Sequence, residues 1–203
     1  QWLEGYSWKS FIVGSYAAAG QRMITSSYTS QQSNVKLSNF KLDRGGTNTQ
    51  HGILLGGIDG LTIDNVWVYD YDTGSTSGSV GVSAFDESAD IESKNVVVRN
   101  CRIERSNNFG LAFGFVTSGK ILNNQFIDCY REAIGIEGHD NNTPTGTDGN
   151  NRIIATGNTV IVNDTYTFGG SIGPAVVIGG STSDGVVEDV LFTNNIITIT
   201  AMT

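Results

Sequence analysis

The chain has 203 residues, a formal net charge of −8, 26 glycines and only 2 prolines. That acidity argues against a nucleic-acid or anionic-membrane partner, no apolar run approaches the ~20 residues of a membrane span, and 2 cysteines do not make a disulfide scaffold. Charged residues are only 16%, and the Ser, Thr, Asn and Gly that replace them disfavour helices and suit an all-β chain with many turns.

Residues 1–33 contain one strand-like run, "KSFIVGSY" (Lys9–Tyr16), and otherwise no clear register. They are read as an N-terminal segment, an irregular first coil. From residue 34 to 203 one grammar recurs. Six segments, "VKLSNFKL", "LTIDNVWV", "VVVRNCRI", "ILNNQFI", "ATGNTVI" and "LFTNNIIT", are centred on Asn39, Asn65, Asn100, Asn124, Asn158 and Asn195. Apolar residues lie two and four positions before the Asn and one and three after it, as in Val35, Leu37, Phe40 and Leu42 or Leu61, Ile63, Val66 and Val68. The two-residue alternation is that of strands. Its phase slips at the Asn, which predicts a bend between two strands there.

A further short strand follows each unit: "HGILLGG", "VGVSAFD", "FGLAFGF", "IGIEGHD" and "PAVVIGG". Aligned on Gly52, Gly81, Gly110, Gly135 and Ala175, their inward pairs are Ile53/Leu55, Val82/Ala84, Leu111/Phe113, Ile136/Gly138 and Val176/Ile178. Each repeat then supplies three short strands. Stacking the repeats lets each Asn amide bond its neighbours above and below as a ladder. This Asn-centred pattern over residues 34–200 resembles the right-handed parallel β-helix of pectate-lyase-like enzymes, uronate epimerases and bacteriophage tailspikes. The resemblance implies a solenoid of about six coils. The chain starts and stops inside this pattern, so it is expected to be an excerpt of a longer polypeptide.

The register gives a meaning to "YREAIGIEGHD" (Tyr130–Asp140). Ile134 and Ile136 point inward; Gly135, Glu137 and His139 point outward. The outward column through Glu137 reads Leu54, Ser83, Ala112, Glu137, Val177, and the next reads Gly56, Phe85, Gly114, His139, Gly179. Asp86 and Asp140 share a further column two coils apart, which sets their backbones roughly 10 Å from each other. Glycosidases that invert keep their carboxyls ~6.5–9.5 Å apart and those that retain ~5–5.5 Å apart, which favours inversion slightly. Glu137 and Asp140 flank His139 and would raise its pKa, making it a proton donor or the base of an elimination. The candidate catalytic residues are therefore Glu137, His139, Asp140 and Asp86; Arg131, Glu132, Phe85 and Glu87 are candidate substrate-binding neighbours. The competing explanation is turn chemistry, since Asp favours turns and is solvated there.

Two positions past each Asn, an outward column reads Lys41, Trp67, Arg102, Phe126, Val160, Ile197. Its Trp67, Arg102 and Phe126 are expected to form a subunit face, because flat faces of this kind line the interior of tailspike trimers. The loops "YDYDTGSTSGS" and "HDNNTPTGTDGNN" are rich in oxygen ligands but lack calcium-loop spacing, so no metal and no cofactor is expected. Cys101 and Cys129 are read as too far apart to bridge. The resemblance implies a homotrimeric phage tailspike or similar receptor-binding protein, on the virion tail or otherwise extracellular, that binds and cleaves a bacterial surface polysaccharide. A secreted polysaccharide lyase or uronate epimerase is the alternative, although "FDES" (Phe85–Ser88) lacks the Pro and His of the epimerases' Asp-Pro-His. A non-catalytic β-helix adhesin or structural spike is the third.

Overall fold

The computed structural model describes residues 2–5, 11–13, 21–26, 30–43, 49–71, 78–82, 91–106, 109–129, 131–138, 149–163, 175–180 and 186–200. Strands follow one another in sets of three. β1 (Trp2–Glu4), β2 (Phe11–Val13) and β3 (Gln21–Thr25) form the first round, then β4 (Gln32–Ser38), β5 (Lys41–Asp43) and β6 (Thr49–Leu55). β7 (Ile58–Asp64), β8 (Trp67–Tyr71) and β9 (Gly78–Val82) precede β10 (Ser93–Arg99), β11 (Arg102–Ser106) and β12 (Phe109–Phe113). β13 (Val116–Leu122), β14 (Gln125–Ile127) and β15 (Glu132–Gly138) lead to β16 (Gly149–Thr156), β17 (Thr159–Val162) and β18 (Val176–Gly180). β19 (Val186–Thr193) and β20 (Ile196–Ile199) begin one more round.

The first strand of each round joins a 7-stranded sheet A, the second a 7-stranded sheet B and the third a 6-stranded sheet C. Every strand pairs in parallel with its counterpart in the neighbouring round. The described residues are thus all-β, in long parallel sheets of stacked strands, consistent with a β-solenoid. β1, β2 and β3 pair in these sheets with β4, β5 and β6.

The core runs along the stack. Val35, Leu37, Phe40 and Leu42 are buried, as are Leu61, Ile63, Val66 and Val68, as the alternation predicts. Removing these side chains from water supplies the main driving force at roughly 25 cal/mol per Å² of apolar surface. On β18, β19 and β20 the large apolar side chains Ile178, Leu191, Ile196, Ile197 and Ile199 are exposed.

The corner between sheets A and B corrects the single-Asn alignment. Asn39, Asn65, Asn100, Asn123, Gly157 and Asn194 occupy the corner itself, with φ between 54° and 71°. Asn and Gly are the residues that tolerate this left-handed conformation best. The next residues, Phe40, Val66, Cys101, Asn124, Asn158 and Asn195, form a second column that turns inward. Only there does a continuous amide ladder form. Asn124 Nδ2 donates to Asn158 Oδ1 at 3.0 Å, and Asn158 Nδ2 donates to Asn195 Oδ1 at 2.9 Å. The same amides donate to the carbonyls of Val98, Ile121 and Ala155. The corner column has its own contact, Asn65 Nδ2 to Asn39 Oδ1 at 2.8 Å. The sequence motif merged two adjacent columns because "NN" and "GN" carry one residue from each.

That one-residue offset also corrects the predicted stripe on sheet B. Arg102 pairs with Gln125, and Ile103 with Phe126. Phe126 is therefore inward and fully buried, as is Val160. The outward column is Lys41, Trp67, Arg102, Gln125, Thr159 and Ile196. Trp67 lies between two cations: Lys41 Nζ is 4.2 Å and Arg102 Cζ 5.1 Å from its ring centroid. The cations are paired in turn with Asp43 and Glu104.

Sheet C also departs from its predicted alignment. Gly81 pairs with Leu54 and with Ala112, and Ala112 pairs with Gly135, which pairs with Val177. The alignment on Gly52, Gly110 and Ala175 was thus two residues early relative to Gly81 and Gly135. A two-residue slip preserves the face of every side chain, so Ile134 and Ile136 are inward and fully buried as expected. It changes the neighbours of Glu137, however. Leu54, read as outward, lies outside the central apolar cluster yet is fully buried.

Asn158→Ala should lower stability by roughly 3 kcal/mol, because it leaves Ile121 O and the amides of Asn124 and Asn195 short of partners. Asn123→Gly, at the left-handed corner, should cost only a few tenths of a kcal/mol, as Gly tolerates that φ. Denaturant unfolding of both variants checks the distinction; equal losses would contradict the two-column assignment.

Candidate functional site on the outer face of sheet C

β15 starts with an irregularity. The amides of Ala133 and Ile134 both donate to Ala175 O, at 2.9 and 3.2 Å. Both residues also pack into the core. Two consecutive inward residues break the alternation, so Glu132 and Glu137 come to the same outer side of the strand although five positions separate them. Gly135 lies between them. A Cβ on Gly135 would meet Glu132 Oε2 at 3.1 Å and Glu137 Oε1 at 3.2 Å. The missing side chain lets the two carboxyls close over the strand, with one oxygen of each beside the same Gly135 position.

The surroundings of the two acids differ. Glu132 pairs beside Phe109 of β12, and its side chain is only 12% exposed. Burial, followed by the hydrogen bond to Glu137 and then by that group's charge, pushes the Glu132 carboxyl up to about 8. Arg131, with Nε 3.6 Å from Glu132 Oε1, opposes the rise, but its side chain is 61% exposed and solvent screens it. Glu137 instead pairs beside Gly179. On the other side, Phe113 pairs with Ile136, which sets Gly114 next to Glu137. Nothing lies within 4 Å of where a Gly179 Cβ would be. The corrected column thus puts Glu137 between two glycines, in a slot rather than a row of side chains.

The backbone under Glu137 is braced from below. Asn150, buried at the start of β16, donates through Nδ2 to the carbonyls of Phe113 and Glu137, both at 2.8 Å, and accepts from Val116 N at 3.1 Å. One buried amide thereby ties β12, β15 and β13 together at the slot. Nearby, His51 is buried and stacks on Phe109 with ring centroids 5.6 Å apart. Gly78, which pairs with His51, leaves the space that lets the two rings meet.

Of the residues singled out in the sequence, Glu137, Glu132 and Arg131 come together at this site. Asp86, Phe85, Glu87, His139 and Asp140 lie outside the described residues. The direct contact of Glu132 with Glu137 was missed, since strict alternation puts residues five apart on opposite faces. The legible signal was Gly135, because a glycine inside a strand pattern often marks a bulge or a close approach. His51 had no sequence signal beyond its residue type.

Burial and the neighbouring Glu137 carboxyl favour the protonated form of Glu132. Among the described residues, no group of three or more His, Cys, Asp or Glu is placed to hold a metal ion. Cys101 and Cys129 are free and buried, and burial pushes both thiols up to about 12. Neither is a nucleophile at neutral pH. No family model, curated protein or solved structure matches the chain.

The raised Glu132 carboxyl makes stability depend on pH. Glu132 titrates near its ordinary 4.5 when unfolded and near 8 when folded, so between these values the folded state holds a proton that the unfolded state has released. Stability should therefore fall as pH rises through this window, and the fall should flatten in Glu132→Gln. Unfolding midpoints measured from pH 4 to about 9 check this; an unchanged slope in the variant would refute the assignment.

Proposed function

We propose that the chain is part of a right-handed parallel β-helix that binds and cleaves a bacterial surface polysaccharide along the outer face of sheet C. The observation that carries this reading is the carboxyl pair on an outer strand face whose neighbours at Glu137 are the glycines 114 and 179. A flat sheet surface with an acid in a glycine-lined slot offers an extended polymer both a track and a reactive group. The three-sheet rotation and the buried Asn ladder support the β-helix part of the reading. In this account Glu137 is the working carboxylate. A second acid at glycosidase distance would come from Asp86, His139 or Asp140. An extracellular setting, such as a phage tail, follows from the substrate class.

Sheet B is the less suitable sugar surface. Stacking on a sugar needs a free aromatic face, and Lys41 and Arg102 lie against the Trp67 ring. The flat Lys41–Trp67–Arg102 face, without Phe126, is instead the surface we assign to contacts between subunits of a homotrimer.

Incubation with bacterial capsule or lipopolysaccharide, followed by product analysis, tests the reading. A new reducing end marks hydrolysis, and an absorbing unsaturated sugar marks elimination. Glu137→Gln should lower the cleavage rate ~10²–10⁴-fold with polymer binding retained, because an amide keeps the shape but transfers no proton. Asp43→Asn on sheet B should leave the rate unchanged. Wild-type turnover in Glu137→Gln would remove the site from this face.

A further inference from the structure

We propose that Glu132 is a positioning residue that keeps a proton on its own carboxyl and through it holds Glu137 aimed between Gly114 and Gly179. The proposal deepens the sugar-cleaving reading and rests on it for the identity of the reaction. Two ionised carboxylates have only acceptors and repel each other, so a hydrogen bond between them requires one proton.

Burial decides which residue holds it. Glu132 is enclosed beside Phe109, and Ala112 Cβ is 3.7 Å from the Gly135 Cβ position over which both acids reach. Glu137 pairs beside Gly179, where nothing lies within 4 Å of a Cβ position. The charged form is penalised at the enclosed position, so the proton stays on Glu132. β12 presents Phe109, Ala112 and Gly114 to the pair, and β18 presents Val177 and Gly179. None of these is ionisable. Among the described residues the charged group in contact is Arg131, at 3.6 Å from Glu132. The O–H of Glu132 donates to Glu137, fixes its rotamer and leaves its remaining lone pairs for a proton or carbon of the substrate. Raising the pH until Glu132 ionises replaces that hydrogen bond by repulsion and releases Glu137 from its orientation. The alkaline limit of the site is thus set by a residue that does not touch the substrate.

Glutamine at 132 separates this role from others, since its N–H₂ still donates to Glu137 and cannot ionise. Carboxyl ¹³C NMR titration of Glu-labelled protein is the first arm and needs no substrate. Wild type should contain one Glu carboxyl titrating near 8; that transition should vanish in Glu132→Gln. In Glu137→Gln the Glu132 transition should move to lower pH. Gly135→Ala, which crowds both carboxyls, should lower it too. The second arm is cleavage of the surface polysaccharide. Glu132→Gln should lose the alkaline decline of the rate, while Glu132→Ala should lose on the order of tenfold or more at neutral pH. A wild-type titration confined to the ordinary carboxylate range overturns the proposal. So does a Glu132→Gln variant as inactive as Glu137→Gln, because Glu132 would then deliver its proton to the substrate. If no polysaccharide is cleaved but the transition near 8 behaves as stated, the proton-sharing pair is supported and the sugar reading alone fails.

Discussion

Parallel stacking of equivalent residues is the constraint on which the rest of this molecule depends. Each side chain has its counterpart from the neighbouring round directly above or below it, about 4.8 Å away. A column therefore works only if its members suit one another. The inward corner column meets this condition in two ways. Phe40, Val66 and Cys101 fill it with apolar bulk, and Asn124, Asn158 and Asn195 fill it with amides. The two halves join where Cys101 N donates to Asn124 Oδ1 at 2.9 Å. Each fully buried amide has its donors and acceptor engaged, which an isolated buried Asn rarely achieves. The left-handed corner residues before this column tolerate their φ, and Asn39, Asn65 and Asn100 also donate side-chain hydrogen bonds, to Glu4, Asn39 and Asp64.

The candidate site arises where that regularity is relaxed. Ala133 and Ile134 both enter the core, and the strand resumes its alternation in the opposite phase. The neighbouring β12 shares this departure, since a Cβ on Gly110 would meet Phe126 and Cys129 of the core, and on β15 it brings two acids onto one side of the strand. Glycines are what make the contact possible: Gly135 beneath the carboxyls, and Gly114 and Gly179 beside Glu137. The buried Asn150 fixes the backbone that carries Glu137. Precision at the site thus comes from the solenoid rather than from loops. The enclosed environment of Glu132 favours the protonated form of its carboxyl.

Sheet B uses the same stacking for a different end. Lys41, Trp67 and Arg102 come one above another, so the aromatic ring is covered by cations on its two sides. The cations are neutralised along their own strands by Asp43 and Glu104. On such a face cations lie against the aromatic ring, whereas the outer face of sheet C opens into space at Gly179.

By itself the sequence determined the strand period, the three-strand repeat and the inward identity of nearly every core residue, because alternation and the recurring Asn are local patterns that survive small errors of alignment. Val35, Leu37, Leu61 and Ile136 needed no partner to be read as core. It also singled out Glu132 and Glu137. What it did not determine was which residue lies beside which. "SNF" and "NNQ" look alike, yet the first has its corner at Asn39 and the second at Asn123, and that single step turned Phe126 from an expected surface residue into core. On sheet C a two-residue slip left every face unchanged but exchanged Ala112 and Val177 for Gly114 and Gly179 as the neighbours of Glu137. Only pairing between rounds decides such matters, since inter-strand hydrogen bonds and column packing are satisfied across 20 or more residues of chain. The contact of Glu132 with Glu137 was set in the same way: the bulge that joins them exists because Ala133 and Ile134 both bond to Ala175, a carbonyl from the next round.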